Sequence, residues 1–446
     1  MPKTSRLDAI LVGVSKKPLP IVSVKLDKIV GGGQALGTLE DGQKLFVWGG
    51  LPGETVEVQL TKRKSSFAEG IVIDVKQPSP DRVEPRDPDS YLSTSPWQNM
   101  KFESEQHYKA ALIEEAFELH DIVLPDPIEV YSDGNQWNYR NKVEFSWYGD
   151  DSSGTETLHL SFFRRGSKGK IAVTDSALLP PEITELAGKI RDRLQELGAT
   201  ARELKTLLIR CDQAGSCVWQ LYVKDSPCHF AEQLIKTDFG AQGGEVIFSN
   251  PKSPASVITK RLEATGNVVL SDTVLGTTFR YATEGFFQIN LPVYEQALRD
   301  MKQWTVEGKP TVDMYSGVGS IGLTIGGPGT ALVEVNEHAV REMKQNIDKL
   351  GLDATPVLAA SESALEYITK DKTIIVDPPR AGLHDAVIER LLSEQPERII
   401  YLSCNPVTQA RDTAKLAEVY GVRAHKGYNF FPRTPHIENL VVLDKK

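Results

Sequence analysis

The chain has 446 residues, 40% of them hydrophobic and 25% charged, proportions that exclude a disordered chain, a collagen-like fibre and a small disulfide scaffold. At roughly 100–200 residues per domain, this length predicts two to four domains. The apolar run Ala9 to Val14, followed by Lys16 and Lys17, is too short and misplaced for a signal peptide, and no stretch approaches the ~20 apolar residues of a membrane span.

Net charge is −9, yet residues 1–76 hold 11 Lys and Arg against 8 Asp and Glu, while the remainder holds 40 against 52. An acidic body with a mildly basic amino-terminal module fits RNA binding through local patches, and equally fits a solvated surface of uneven charge. Residues 20–76 read as short strands broken by turns: IVSVKLDKIV, ALGTL, KLFVW, TVEVQLTKRK and FAEGIVIDV. Alternating apolar residues with frequent turn signals predict a small OB-like barrel. Phe46, Trp48 and Phe67 are candidates to stack on bases beside Lys62, Arg63 and Lys64, although core packing is the expected role of Phe46 and Trp48. The Pro- and Asp-rich segment Gln77 to Asp89 reads as a linker.

From residue 90 to about 280 the pattern is mixed. Helical periodicity marks ESEQHYKAALIEEAFEL and PPEITELAGKIRDRLQEL, and strand-like runs are KVEFSWY, LHLSFF, TLLIRC and CVWQLYV. Strand and helix then alternate: PTVDMY, TALVEV, TIIVD and RIIYLSC are buried-looking strands, and EHAVREMKQNIDKLG, AVIERLLSE and VTQARDTAKLAEVYG are helical. That rhythm predicts a doubly wound parallel sheet with ligands outside the carboxyl ends of its strands. Cys211, Cys217, Cys228 and Cys404 lie 6, 11 and 176 residues apart. No zinc or CxxC spacing is among these, so a reduced cytoplasmic setting without a structural metal is expected.

Four constellations carry chemistry. Thr311 to Met314 runs into a glycine-rich turn, Tyr315 to Gly322, and Glu334 follows Asp313 by 21 residues. In a nucleotide site such glycines admit the cofactor to the backbone, and the acidic residue accepts ribose hydroxyls; a GxG after a strand also serves as a plain tight turn. Asp377-Pro378-Pro379-Arg380 follows TIIV, where prolines end the ladder and hold a carboxylate at the cofactor edge. Cys404, in Ser403-Cys404-Asn405-Pro406, ends the neighbouring strand near a helix start. A lone Cys is commonly a small buried hydrophobe, but this position favours a nucleophile whose thiolate the helix dipole supports. His436 and Glu438 alternate about Ile437 and share one face of an extended segment, as they would in an ordinary polar strand edge or as a base opposite a thiol.

Together these residues resemble the S-adenosylmethionine-dependent RNA uracil-5 methyltransferases that carry an amino-terminal TRAM domain. The resemblance covers nearly the whole chain: FFQIN (Phe286 to Asn290), DMYSGVG (Asp313 to Gly319), VEVNEHAV (Val333 to Val340), DPPRAGL (Asp377 to Leu383), LSCNP (Leu402 to Pro406) and PHIENL (Pro435 to Leu440) occur in family order. It implies three units joined by a linker: a TRAM-like β-barrel over 1–78, the linker 79–89, a central α+β domain over 90–284 and a Rossmann-like α/β methyltransferase domain over 285–446. It also implies Cys404 as nucleophile, Glu438 as base, and Gln288, Tyr315, Glu334 and Asp377 as S-adenosylmethionine contacts, with Ser320 and Ser361 at weaker, more variable positions. The implied chemistry is addition of the Cys404 thiolate to uracil C6, methylation at C5, and proton removal by Glu438. A free thiol titrates near about 8.5, so local activation of Cys404 is expected.

One departure stands out. Many members ligate an iron–sulfur cluster through four cysteines, but the corresponding stretches here, Tyr91 to Met100 and Phe162 to Pro180, contain none, with Ser95 and Ser176 at matching positions. Hydroxyls are poor substitutes for cluster thiolates, so a cluster-free protein is expected. Cys211, Cys217 and Cys228 fall outside the matched positions and read as packed or surface thiols. Competing activities fit less well: exocyclic amino methylation normally places an aromatic where Arg380 stands, and RNA cytosine C5 methylation a cysteine in the Asp377–Arg380 loop. An RNA-binding or chaperone protein with a dead methyltransferase domain remains the non-catalytic alternative, which retention of Cys404 and Glu438 opposes. The resemblance favours 23S ribosomal RNA over transfer RNA as substrate, and implies a cytoplasmic monomer engaging neither membrane nor DNA.

Overall fold

The computed structural model describes residues 19–152 and 154–446; the Ala9 to Val14 run and its flanking lysines lie outside the described residues. All five expected amino-terminal strands form: Ile21–Ile29, Ala35–Thr38, Lys44–Trp48, Thr55–Arg63 and Phe67–Gln77. They close into a barrel, the fourth strand pairing antiparallel with the first and the third running parallel to the fifth. Its core takes alternate residues, among them Val24 and Leu26, Leu45 and Val47, and Val56, Val58 and Leu60, as the two-residue period of a strand demands. That alternation turns Phe46 and Trp48 away from the core expected for them. Phe46 instead meets Phe67 edge-on at 5.8 Å, and the guanidinium of Arg165 covers Trp48 at 4.0 Å. Closure needs a close crossing at Gly70, where a Cβ would stand 2.3 Å from Val58 Cγ1 and 2.9 Å from the Gln59 carbonyl oxygen.

The stretch after the barrel is fastened at both ends. Arg82 donates to Glu54 through Nε (2.6 Å) and Nη2 (2.7 Å), and Asp87 accepts from Ala177 N at 3.0 Å and from Gln98 Nε2 at 2.9 Å.

A seven-stranded sheet follows in the order Lys260–Gly266, Gly243–Phe248, Cys217–Val223, Leu204–Cys211, Lys142–Asp150, Thr157–Phe163 and Lys170–Ala172. The helix Pro181–Glu196 packs on it through Ile183, Leu186, Ala187, Ile190 and Leu194, the one-sided stripe of an amphipathic helix. Cys211 and Cys217 read as separate thiols in the sequence, but they are register partners across two antiparallel strands and are joined by a disulfide.

The carboxy-terminal sheet has eight strands in the order Ala354–Leu358, Thr330–Glu334, Thr311–Met314, Thr373–Val376, Arg398–Ser403, Glu438–Lys445, Tyr420–Tyr428 and Val130–Tyr131. The first five are parallel and Glu438–Lys445 runs against them. The strand order reverses beside Thr311–Met314, which is where a doubly wound sheet opens its ligand crevice. The helix expected over VTQARDTAKLAEVYG stops at Leu416, and Tyr420 already belongs to the strand Tyr420–Tyr428.

Packing joins two pieces of the 90–284 stretch to this sheet. The helix Phe102–Glu118 buries Ile113, Ala116 and Phe117 in one of its cores, and the hairpin of Val269–Val274 and Thr277–Ala282 buries Leu270, Val274, Phe279 and Tyr281 in the other. Among the described residues, no helix is long and apolar enough to cross a membrane.

The fully buried Glu54 carboxylate also accepts from Leu51 N at 2.8 Å and Ser79 N at 3.1 Å. Replacing it with alanine strands the Arg82 charge, at a cost of roughly 3 kcal/mol. Calorimetry of Glu54→Ala should therefore show the barrel unfolding in a separate early transition; an unshifted thermogram would contradict this role.

Candidate active site

The crevice begins where Thr311–Met314 ends. Tyr315 sits at φ 66° and is followed by Gly317 at 56° and Gly319 at 88°. A tyrosine in the left-handed region is strained, a feature that gathers at functional sites. The Ser316 hydroxyl ties the turn to the next strand by donating to Val333 O at 3.1 Å. Glu334, ending that strand, accepts from Gly317 N at 2.9 Å through one carboxylate oxygen and from Asn336 N at 2.7 Å through the other. Each oxygen keeps a lone pair for a ligand hydroxyl. The Ser361 hydroxyl donates to the Tyr315 phenol at 2.8 Å, and the Ser320 hydroxyl meets that of Tyr294 at 2.8 Å. Beneath the turn lies Asp313, whose Oδ2 accepts from Gly322 N at 2.8 Å and whose Oδ1 has no partner among the described residues. Burial pushes its carboxyl up to about 8.

Asp377 follows Thr373–Val376, and its loop is clamped to the neighbouring helix. The Arg380 carbonyl accepts from Asn405 Nδ2 at 2.9 Å and from the Thr408 hydroxyl at 3.2 Å, and Leu383 N donates to Asp412 at 2.8 Å. Asn405 also caps the helix Pro406–Leu416 by accepting from Val407 N, so one residue fixes both the Asp377 loop and the segment bearing Cys404.

Cys404 and Glu438 come together through strand register. Ser403 pairs with Asn439 across the antiparallel strands Arg398–Ser403 and Glu438–Lys445, so the next position sets Cys404 opposite Glu438. The register is locked from behind by Gln409, which donates to Tyr401 O and Asn439 O at 2.9 Å and accepts from Asn439 Nδ2 at 2.8 Å.

Electrostatically, Cys404, Asp377 and Glu438 form one acidic cluster faced by the Arg380 guanidinium. Burial raises Asp377 to about 7, and burial together with Asp377 lifts Glu438 well above the ordinary carboxylate range. The thiol is not activated as the sequence led one to expect: burial first, then the Glu438 and Asp377 carboxyls, push Cys404 up to about 11 against the opposing pull of Arg380. Two carboxyls and lost hydration outweigh the helix start. Arg380 Nη2 donates to His436 Nδ1 at 3.3 Å; burial and surrounding cations, Arg380 foremost, lower that imidazole to about 4.

The structure therefore places Tyr315 and Glu334 about one turn, and Cys404, Glu438 and Asp377 about one carboxyl edge of the same sheet. Gln288 is buried in the link before the helix Leu291–Lys302. Among the described residues its amide has no protein partner, and Asn290 Nδ2 holds the link by donating to Phe430 O at 3.2 Å. Sequence reasoning missed Arg380 as a site residue; its place in Asp-Pro-Pro-Arg was the available signal.

The donor set near Ser95 and Ser176 does not fit an iron–sulfur cluster. Both serines are buried; Ser95 Oγ accepts from Gln98 Nε2 at 2.6 Å, and the same nitrogen donates to Asp87 Oδ2, with Ser176 Oγ 3.5 Å from that oxygen. A carboxylate and two hydroxyls stand there in place of soft thiolates.

The tRNA (Uracil-5-)-methyltransferase family model matches residues 364–446, and the TRAM domain model matches residues 22–73. A protein of Enterococcus faecalis described as an uncharacterized RNA methyltransferase is 28% identical, the alignment covering 91% of this chain and 93% of that protein. The 23S rRNA (uracil(1939)-C(5))-methyltransferase RlmD of Dechloromonas aromatica is 27% identical over 91% of this chain and 96% of its own length. In fold, the crystal structure of Pyrococcus abyssi tRNA (uracil-54, C5)-methyltransferase with S-adenosyl-L-homocysteine superposes with a TM-score of 0.76, at 20% identity, covering 95% of this chain and 100% of that one. The chain thus carries a TRAM domain over residues 22–73, a class I methyltransferase fold, and, over residues 364–446, a match to the tRNA (Uracil-5-)-methyltransferase family model.

In a Cys228→Ser background, alkylation of Cys404 by iodoacetamide in the ligand-free protein should rise with pH through a midpoint near 11, above the free-thiol value of about 8.5. Glu438→Gln should lower that midpoint by removing a buried negative charge. A midpoint at or below the free-thiol value would contradict the cluster's electrostatics.

Proposed function

We propose that this TRAM-bearing chain transfers a methyl group from S-adenosylmethionine to C5 of a uridine in structured RNA, with 23S ribosomal RNA as the substrate class. The observation that carries this reading is the register pairing that sets Cys404 opposite Glu438 beside Asp377, at the carboxyl edge of a doubly wound sheet. A thiol facing a buried carboxyl is the pair that C5 chemistry requires. Uracil C5 is a weak nucleophile until a sulfur adds at C6, and its proton then needs a base.

The residues present suit the cofactor. Glu334 has lone pairs for ribose hydroxyls, Tyr315 presents an aromatic ring, and Gln288 and Asp377 offer an uncommitted amide and a buried carboxyl. Bound there, S-adenosylmethionine supplies an electrophilic methyl group on a positively charged sulfur. A positive charge held beside Asp377 would favour the ionised forms of Asp377, Glu438 and Cys404 alike, which would answer the raised thiol of the free protein. Cys404 sulfur forms the bond to C6, Glu438 takes the C5 proton, and breaking of the carbon–sulfur bond restores the thiolate. The raised pKa of Glu438 makes its ionised form a strong proton acceptor. Because the thiol is half-buried, the uridine must leave its stack to reach it.

The ribosomal assignment rests on the TRAM barrel and on the activity named for the Dechloromonas aromatica relative.

The test is covalent trapping. With S-adenosylmethionine and 5-fluorouridine-substituted total RNA, fluorine cannot leave as a proton, so a denaturation-resistant adduct should accumulate, map by sequencing to 23S ribosomal RNA, and vanish in Cys404→Ala. An adduct mapping to transfer RNA would overturn the substrate class, and no adduct with folded protein would overturn the mechanism.

A further inference from the structure

The acidic body of the chain holds one basic island that the reading above does not use. From Thr157 to Val173 there is no Asp or Glu, while Arg164, Arg165, Lys168 and Lys170 fall within seven residues. Arg164, Arg165 and Lys168 occupy the loop between the strands Thr157–Phe163 and Lys170–Ala172, and Lys170 opens the second of them. The loop is built in place. Gly166, at φ 73°, lies so close to the barrel that a Cβ there would stand 2.7 Å from Ile71 Cδ1 and 3.1 Å from Thr61 Cγ2. Arg165 is fixed by stacking on Trp48, by its backbone N–H donating to the Ser93 hydroxyl at 3.2 Å, and by Nε donating to Leu92 O.

Beside these anchors the loop presents an aromatic face with cations. Phe163 is 64% exposed, and Lys170 Nζ lies 5.5 Å above its ring while donating to Trp147 O at 2.6 Å. Among the described residues, none of Arg165, Lys168 and Lys170 pairs with a carboxylate. The barrel differs: there Lys62 pairs with Glu69 at 2.6 Å, Arg63 with Asp41 at 2.6 Å and Lys76 with Asp74 at 2.8 Å, so its apparent basicity is largely neutralised. The barrel in turn adjoins the catalytic strand, because a Cβ on Gly33 would fall 2.1 Å from Pro435 Cβ, and Trp97 links the two by donating from Nε1 to Gly33 O (3.0 Å) and from its backbone to Arg433 O (3.1 Å). Arg165 is among the cations that hold His436 down.

We propose that the loop 163–170 is an RNA-binding surface that takes one unpaired stretch of the substrate, Lys168 and Lys170 holding phosphates and Phe163 stacking under a base, and leads the strand from the barrel to Cys404. Unpaired cations next to an exposed ring are what a single strand needs, since the backbone is drawn to the charges and every base has a face to stack. The proposal rests on RNA being the substrate, as argued above, and concerns where that RNA is held.

A fluorescein-labelled single-stranded RNA of about 20 nucleotides, titrated against the full-length protein over a range of salt, tests it without any methyl transfer. The double variant Lys168→Ala, Lys170→Ala should bind more weakly, and the slope of log affinity against log salt should fall by roughly 1.4, about 0.7 for each lost phosphate contact. Phe163→Ala should weaken binding about tenfold at an unchanged slope, because stacking releases no counterions. Lys168→Arg with Lys170→Arg should restore the slope, and Lys252→Ala, on another exposed loop, should leave it alone. Unaltered affinity and slope in the alanine variants, or no binding of the probe by the parent protein, would overturn the proposal. The two readings fail separately: slope changes without a 5-fluorouridine adduct in the parent would sink the methyltransferase reading and keep this surface, whereas an adduct with unchanged slopes would sink this surface alone.

Discussion

The antiparallel pairing of Arg398–Ser403 with Glu438–Lys445 is the constraint on which the rest of the molecule turns. The register of that pair sets a thiol opposite a carboxyl at the edge of a buried sheet, and a slip of one residue would send every side chain of the strand to the other face. Much of the surrounding packing defends it. Gln409 and Asn439 bond to each other behind the strands, Asn405 and Thr408 hold the Asp377 loop through the Arg380 carbonyl, and the helix Phe102–Glu118 supports the turn before Glu438. That last support is a buried ion pair, Lys109 with Glu105 at 3.0 Å, from which Lys109 donates to Phe431 O at 3.1 Å and Glu105 accepts from Asn429 Nδ2 at 2.9 Å.

The same burial that fixes the geometry sets the chemistry. Removing water from Asp313, Asp377, Glu438 and Cys404 favours the protonated form of each, and Asp377 raises Glu438 further, as both carboxyls do Cys404. In the free protein the Cys404 thiol is therefore held protonated, with Arg380 as the facing cation. On the function proposed above, the positive charge of a bound cofactor would favour the thiolate.

Local pattern was legible wherever one residue's neighbours in sequence are also its neighbours in space. The barrel strands follow from alternation, the helix Pro181–Glu196 from its stripe, and the carboxyl-edge placement of Asp377 and Cys404 from proline and helix-start signals after apolar runs. What escaped depends on partners distant in the chain. Phe46 and Trp48 look like core because they are large, yet strand alternation gives the interior to Leu45 and Val47. The helix expected to run on beyond Leu416 yields to the strand Tyr420–Tyr428, which is drawn into pairing with Glu438–Lys445. Cys211 and Cys217 meet only through cross-strand register, and Arg380 acquires its role from groups on two other strands. The raised thiol is the plainest case, since a helix start can be read locally whereas the burial and two carboxyls that overrule it cannot.

The central claim is that the bond broken on the base is the one to hydrogen at C5, with Glu438 receiving the proton. RNA labelled with tritium at C5 of uridine reads that event directly. In the presence of S-adenosylmethionine the protein should release one tritium to water for each methyl group transferred, and Glu438→Gln should retain the label. Methyl incorporation with the tritium still in place would locate the reaction at another atom and contradict the account.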